Sequence, residues 1–522
     1  MLRLLAILPL IFLSIGAFAQ IDKEGLPITW STTETTTSVN IWKDLPSIDL
    51  LALQAQDELD QTNKAIPFRF AYATDVNFNT VNSGRWTNLD NGDRVWVLGM
   101  RSEIALSLNI TFSEFMIPDG GKVYIYNNSR TDFIGPLTDR NNSDGASMTT
   151  LPVSGNEIVI EYYEPYAFRG DGVLEISSVS QAYKSLESSS NAATSCIYSL
   201  PENQNDKTLS DISSSVLLML VDNGQRVATG TLVNNTQNDG TPYFITSSAS
   251  LMGDPNSWVF VFGLNNENCS SNSPAQSDVD CWDKALTGAE ILAQDAPSGM
   301  ALLQISNQPK TSWGVYYAGW SGQPTSTDHF ACIQQAFGIN QSMALYSGML
   351  QASDWNGLQA AEIGAWSQGN TFVGSVGSPM FNDSGLFCGV LVGGNSACDN
   401  DGSDYVALLS SAWNTFKPFL NSTGGGKNNA EGFYPIFIDE ETNEASSNPF
   451  FVFPNPAKDF IYIQNESESA VLKVEFIDSS GRLTEIERPS LPMIDVIDLP
   501  AGIYQLRIIT TTGAETSRVV KL

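Results

Sequence analysis

The stretch Gly374–Phe381, Gly-Ser-Val-Gly-Ser-Pro-Met-Phe, sets two hydroxyls, Ser375 and Ser378, on either side of Val376 in a glycine-rich segment. A serine attacks a carbonyl only when a base within hydrogen-bond reach takes its proton and a third group orients that base. The chain supplies little for that part. Its 522 residues hold one histidine, His329, beside Asp328, and such a lone pair is more often a surface feature than a catalyst. No lysine lies within the stretch to make a Ser–Lys pair. The acidic run Asp399-Asn400-Asp401-Gly402-Ser403-Asp404 faintly resembles a calcium loop but lacks the later bidentate Glu, so neither a metal nor a cofactor is expected. Glu157, Glu161 and Glu164 are expected on solvated faces.

Composition narrows the classes of function. A formal net charge of −31 argues against binding nucleic acid or anionic lipid, both of which need a basic footprint. Residues 1–19 have the form of a secretory signal: Arg3, the short apolar run Leu4–Ile15, and the small-x-small cleavage site Ala17-Phe18-Ala19. The apolar run is too short to span a bilayer. Six cysteines in an exported chain suggest disulfides.

The elements that must position these residues read as strands. Leu106, Leu108, Ile110 and Phe112 alternate with polar residues, the period of a half-buried strand, and Glu157–Tyr163 alternates likewise. Residues 20–185 are expected to form a β-sandwich, followed by a Ser/Asn-rich linker within 182–195. A second region, 194–420, opens with the continuous apolar strand Ser214–Val221. Residues 421–448 carry three consecutive glycines and then an acidic run, and read as another linker before a last domain, 449–522.

Several motifs carry a resemblance. Thr229-Gly230-Thr231-Leu232-Val233-Asn234-Asn235, Pro242–Thr246, Tyr317-Ala318-Gly319-Trp320, Gly374–Pro379 and Gly389–Gly394 occur in the order found in secreted lysyl endopeptidases, a trypsin-like serine peptidase family. Phe112–Asn127 is similar to the domain that precedes the peptidase in those proteins. Phe453-Pro454-Asn455-Pro456-Ala457, Val474–Gly481 and Leu499–Tyr504 resemble the carboxy-terminal sorting domain of the type IX (Por) secretion system. The resemblance implies an all-β chain: an amino-terminal sandwich, a chymotrypsin-like double β-barrel and a small immunoglobulin-like sandwich. It also implies passage through the periplasm and outer membrane by the type IX machinery, to the medium or the cell surface.

Placed on this sequence, the family's catalytic positions fall at Ala249 for the histidine, Gly299 for the aspartate and Val376 for the nucleophile. None carries the needed group, and Asp295 is four residues out of place. The resemblance further implies a Cys196–Cys398 bridge. Cys269 matches a half-cystine whose partner is missing, and Cys281 is close enough to replace it. A bridge that the family places at positions 228 and 250 is absent, since these are Ala228 and Ser250. Cys332 and Cys388 are left either to pair across the barrel or to remain buried thiols. Asp404 stands where the family has the acid at the base of its lysine pocket. It reads either as a remnant pocket for a basic side chain or as one more acid of a turn-rich loop. The expected function is a non-catalytic binding or scaffold protein with a protein or peptide ligand. The alternative is a secreted endopeptidase acting through a non-standard nucleophile such as Ser375 or Ser378.

Overall fold

The computed structural model describes residues 20–21, 25–31, 41–60, 63–141, 145–184, 196–200, 207–264, 282, 284–324, 326–338, 341–400, 402–422, 424, 426, 428–435, 450–453, 457–458, 460–465, 471–478, 482–487, 493–497, 499–500, 502–510 and 514–521. The signal at 1–19, Cys269 and Cys281 lie outside these residues. The chain divides into two compact units, 1–437 and 438–522.

In the first unit, two antiparallel-rich sheets from residues 42–182 face each other. Leu98, Ile125 and Ile158 of one sheet and Leu108, Ile110, Phe112 and Val179 of the other share one apolar core. Two larger sheets follow, nine- and ten-stranded. The first encloses Met219, Phe244, Phe260 and Leu303, and the second encloses Cys332, Met380, Leu391 and Val406. These are the two barrels. The helix Leu409–Leu420 closes the second with buried Trp413, Phe416 and Leu420.

Val216–Val221 explains its unbroken apolar run by being covered on both faces. Leu217, Met219 and Val221 point into the first barrel, while Leu218 and Leu220 join the sandwich core. Alternation along a strand sends successive side chains to opposite faces, so a strand wedged between two cores has no polar side to show. The two domains are also sewn together by backbone. Gln20–Ile21 pairs with Ala285–Leu286, and Phe68–Arg69 pairs with Arg226–Val227, so both strands belong to the first barrel's sheet.

Some expectations about surfaces are overturned. The alternating strand is not half-exposed: Ser107–Phe112 is buried throughout, and Leu106 is the exposed residue. Its polar face packs on the hairpin at 221–226, with Thr111 donating to the Asn223 carbonyl at 3.4 Å and a Cβ on Gly224 falling 2.1 Å from Asn109 Nδ2. Glu161 and Glu164 are buried, not solvated. Glu161 accepts from the Ile28 N–H and the Thr29 hydroxyl, and Glu164 pairs with Arg94 and accepts from Tyr162 and the Gly170 N–H. A carboxylate can be buried when its lone pairs are so satisfied. Residues 428–435, expected within a linker, are stitched to the first unit: Asn429–Ala430 pairs with Trp320–Ser321, and Phe433 with Tyr317.

The second unit holds a three-stranded and a four-stranded antiparallel sheet. Ile461, Ile463, Val474, Phe476, Leu506 and Ile508 form the core between them. Among the described residues no helix is long and apolar enough to cross a membrane.

Candidate functional site

Three tight turns meet along the seam of the two large sheets. Ser248–Ser250 is a 3-10 turn capped by Ser247, whose hydroxyl accepts from the Ala249 N–H, and the Ala249 methyl is exposed. Gly299 closes the hairpin between Ala289–Asp295 and Met300–Ile305 at φ +70°, and its carbonyl accepts from the Ser248 N–H at 2.7 Å. Val376 is fully buried, and its carbonyl accepts from the Thr229 N–H at 3.2 Å. Gly377 has φ +85°, and a Cβ there would lie 2.1 Å from Thr246 Oγ1, 2.2 Å from the Thr229 carbonyl and 3.1 Å from the Ser247 nitrogen. Only glycine fits that approach. The loop at 376–377 and the turns at 249 and 299 are thus neighbours, linked through Thr229, Ser247 and Ser248.

The other candidate nucleophiles and bases are engaged, remote or buried without a base beside them. Ser375 is buried, hydrogen-bonded to Gln334 Oε1, and accepts from the Phe372 N–H at 3.0 Å. Ser378 is buried, and its hydroxyl has no partner among the described residues. Asp295 holds its own turn: Oδ2 accepts from the Ser298 N–H and hydroxyl at 3.1 and 2.7 Å, and Oδ1 from the Thr415 hydroxyl at 2.7 Å. His329 is 68% exposed at the start of its strand, 2.7 Å from Asp328. Ala228 and Ser250 are buried, and a hydrogen-bond chain stands in for a bridge: the Thr246 hydroxyl donates to the Thr229 carbonyl at 2.7 Å and lies 3.2 Å from Ser250 Oγ.

Asp404 is not a surface acid. It is fully buried at the start of the strand Asp404–Leu408, and it is the most heavily bonded side chain of the cleft. Trp366 Nε1 donates to Oδ2 at 2.7 Å, the Thr371 hydroxyl to Oδ2 at 2.5 Å, the Ser396 hydroxyl to Oδ2 at 2.7 Å and the Ser396 N–H to Oδ1 at 3.2 Å. The remaining partner is Lys64, from the amino-terminal domain. Its Nζ lies 3.1 Å from both carboxylate oxygens, 2.8 Å from Thr371 Oγ1 and 2.6 Å from Ser396 Oγ, with 4% of the side chain exposed. Burial pulls the Lys64 ammonium below the ordinary lysine value, and the Asp404 charge works against that shift. Lys64 was invisible to sequence reasoning. It sits in Asn-Lys-Ala-Ile-Pro, which has no motif, and its partner is 340 residues away.

A cavity of about 910 Å³ opens beside this pair, walled by Phe68 and Arg69 on one side and Phe372, Val373, Asn395 and Ala397 on the other. Cys398, in the same wall, is bonded to Cys196. Cys332 and Cys388 are free, buried thiols, which decides between the two states left open for them. Among the described residues no cluster of His, Cys, Asp or Glu could hold a metal.

Residues 188–407 match the family described as lysyl endopeptidase, C-terminal domain, and residues 451–522 match the secretion system C-terminal sorting domain. Similar solved structures include the inactive form of the Rv3671c protease, at 15% identity over 42% of this chain and 96% of that one, with a TM-score of 0.27. An inactive serine-to-alanine mutant of Rv3671c from M. tuberculosis H37Rv has 15% identity over 42% and 94%, with a TM-score of 0.28. Deg5 has 12% identity over 42% and 97%, with a TM-score of 0.27. By the two family matches alone, residues 188–407 are a lysyl endopeptidase-type domain and residues 451–522 a Por-type sorting domain that marks the protein for export through the type IX secretion system.

Proposed function

We propose that the exported central domain is a pseudopeptidase: it keeps a peptidase cleft and binds through it without hydrolysis. The observation that carries this reading is the trio Ala249, Gly299 and Val376 at the three positions where the family resemblance puts the triad. A methyl, a hydrogen and an isopropyl group neither attack a carbonyl nor move a proton. The burial of Ser375 and Ser378, and the exposure of His329 on Asp328, support it further. What the cleft retains is recognition chemistry, a buried carboxylate framed at Asp404 by four neutral donors from Trp366, Thr371 and Ser396. Its ligand is a protein or peptide, and the type IX machinery is the partner that handles the chain during export.

The test is direct. The purified chain is incubated with lysyl and arginyl esters and with a serine-directed phosphonate. No turnover above buffer and no adduct are expected. An adduct on Ser375 or Ser378 would replace this reading with an endopeptidase using a displaced nucleophile.

A further inference from the structure

The chain supplies the occupant of its own pocket. Asp404 lies at the base of a buried polar site whose donors and acceptors suit a primary ammonium: two carboxylate oxygens and the hydroxyls of Thr371 and Ser396, all within 2.6–3.1 Å of one nitrogen. That nitrogen is Lys64 Nζ. An ammonium has three donors and no acceptor, and here each donor finds an oxygen, so the side chain is held as a ligand is held.

The segment that delivers Lys64 is built as a stapled loop. It leaves the helix Leu50–Asp60, turns at Lys64 and Ala65, and joins the first barrel's sheet at Phe68–Arg69. Asp57 closes the neck. It accepts from Arg69 Nε and Nη2 at 3.0 and 2.7 Å, accepts from the Tyr183 hydroxyl at 2.7 Å, and pairs with Lys184 at 2.7 Å. Arg226 Nη1 donates to the Pro67 carbonyl at 3.0 Å. Phe68 lies against Gly374, the first residue of the loop around Val376, and packs edge-on against Phe337 at 5.3 Å between ring centroids. The turn at Lys64–Ala65 is then a lysine presented on a short tether, anchored at both ends, with its ammonium at the bottom of the cleft.

We propose that Lys64 is an intramolecular plug. It fills a pocket for primary ammonium groups, so the intact chain admits a lysine side chain from another molecule only when the stapled loop gives way. The inference rests on the binding reading above: the lysine pocket at Asp404 is the one the family resemblance implies, and what is added is that this chain's own Lys64 closes it. A competitor must displace a tethered ligand, and the apparent affinity of the intact chain is lowered by the fraction of time the pocket stands empty.

The experiment is chemical rescue in the full-length chain. Lys64→Ala removes the side chain beyond Cβ, a fragment that n-propylammonium replaces. The unfolding temperature of K64A is measured against n-propylammonium chloride, with sodium chloride and n-propanol as controls. K64A is expected to be stabilised in a saturable way, its folded-to-unfolded ratio rising about 100-fold when the amine stands at 100 times its Kd. The wild type is expected to respond no more than it does to sodium chloride. K64A/D404N, which removes both charges, is expected to lose the amine response. If K64A does not fold unaided, refolding yield is scored with and without the amine, and dependence on it is the expected result. The plug is overturned if K64A shows no amine response in either assay, if the wild type binds the amine as K64A does, or if K64A/D404N responds like K64A. Phosphonate labelling of K64A is scored separately. It reports on catalysis alone, so a failed plug and a failed non-catalytic reading give different results.

Discussion

The turns around Val376 and the pocket around Asp404 differ in what their side chains can do. At Ala249, Gly299 and Val376 the backbone is tightly fixed, through left-handed glycines and short N–H···O contacts, and the side chains carry no protic group. At Asp404 the side chains are a charged pair inside a shell of hydroxyl, indole and amide donors. Backbone geometry can be maintained by packing alone. A buried charge cannot, because an unpaired carboxylate out of water costs several kcal/mol. The first region therefore persists as shape, and the second persists only as a complete set of partners.

The largest effect expected from breaking this contrast is at Asp404. Asp404→Ala leaves the Lys64 ammonium buried without its counter-charge and should cost about 3–5 kcal/mol in denaturant unfolding. The double change Lys64→Met with Asp404→Leu should recover the part of that loss due to the unpaired charge, but not the part due to the Trp366, Thr371 and Ser396 donors left without their acceptor. Equal, additive losses from the two positions would show that they do not act as a pair.

Restoring the triad should fail stepwise and at a smaller energetic cost. Val376→Ser adds a hydroxyl with no base beside it and removes a fully buried isopropyl group, a loss of about 1–3 kcal/mol. Gly299→Asp forces a β-carbon into a left-handed residue at φ +70°, where that carbon falls 2.9 Å from Leu358 Cδ1, a strain of about 1–3 kcal/mol. Ala249→His, on an exposed turn, should be nearly neutral. Ester turnover is expected from no single variant, because triad members act as a unit. Turnover by Val376→Ser alone would reveal a base beside position 376.

The loop neck should show itself in acid. Burial raises the Asp57 pKa, but the bonds from Lys184, Tyr183 and Arg69 outweigh it, so the folded value lies below the ordinary 3.8. A depressed carboxylate contributes stability that is full above its unfolded value and is lost as pH falls through the folded one. Asp57→Asn should therefore lower the unfolding temperature at pH 6 and flatten its decline below about pH 4, an effect on the order of 1 kcal/mol. Glu161 provides the opposite sign. Its pKa is raised, chiefly by burial, so its contribution is full below 4.5 and fades as pH rises. Glu161→Gln should remove a term that falls with increasing pH.

The architecture was largely legible in the residues, because strand period and ordered motifs are local signals. Ser214–Val221 announced a continuous apolar strand, and Gly374–Pro379 marked the central loop. What was hidden is non-local. Glu161 and Glu164 carry no local mark of burial, and only the arrival of Ile28, Thr29 and Arg94 makes it tolerable. Asp404 looked like one acid among several in a turn-rich run, and its neighbours in sequence say nothing of Lys64. A pair separated by 340 residues leaves no periodicity to detect.

The smallest effect concerns thiols and leaves stability untouched. Cys332 lies close enough to Lys64 and Asp404 to feel both charges, and burial pushes its pKa far up. Cys388, whose thiol donates to the Met380 carbonyl at 3.3 Å, is pushed up to about 12 by burial. The thiolate is the reactive species, so neither cysteine should be alkylated in the native chain at pH 8. In denaturant without reductant, the number of thiols reads whether Cys269 and Cys281 are paired. Two should titrate if Cys269 and Cys281 are bonded as well as Cys196 and Cys398, and four if only the latter pair is. Peptide mapping assigns the labels. K64A then turns this assay onto the pocket. Removing the plug takes away the cation that lowers the Cys332 pKa, which disfavours its thiolate, but it also opens a path to the sulfur. Faster native labelling of Cys332 in K64A, with Cys388 unchanged, would mean that access outweighs charge and that Lys64 is the lid over that path. Unchanged labelling of both would place Cys332 behind a wall that does not include Lys64, leaving the ammonium pocket shallow and closed at its base by Asp404 alone.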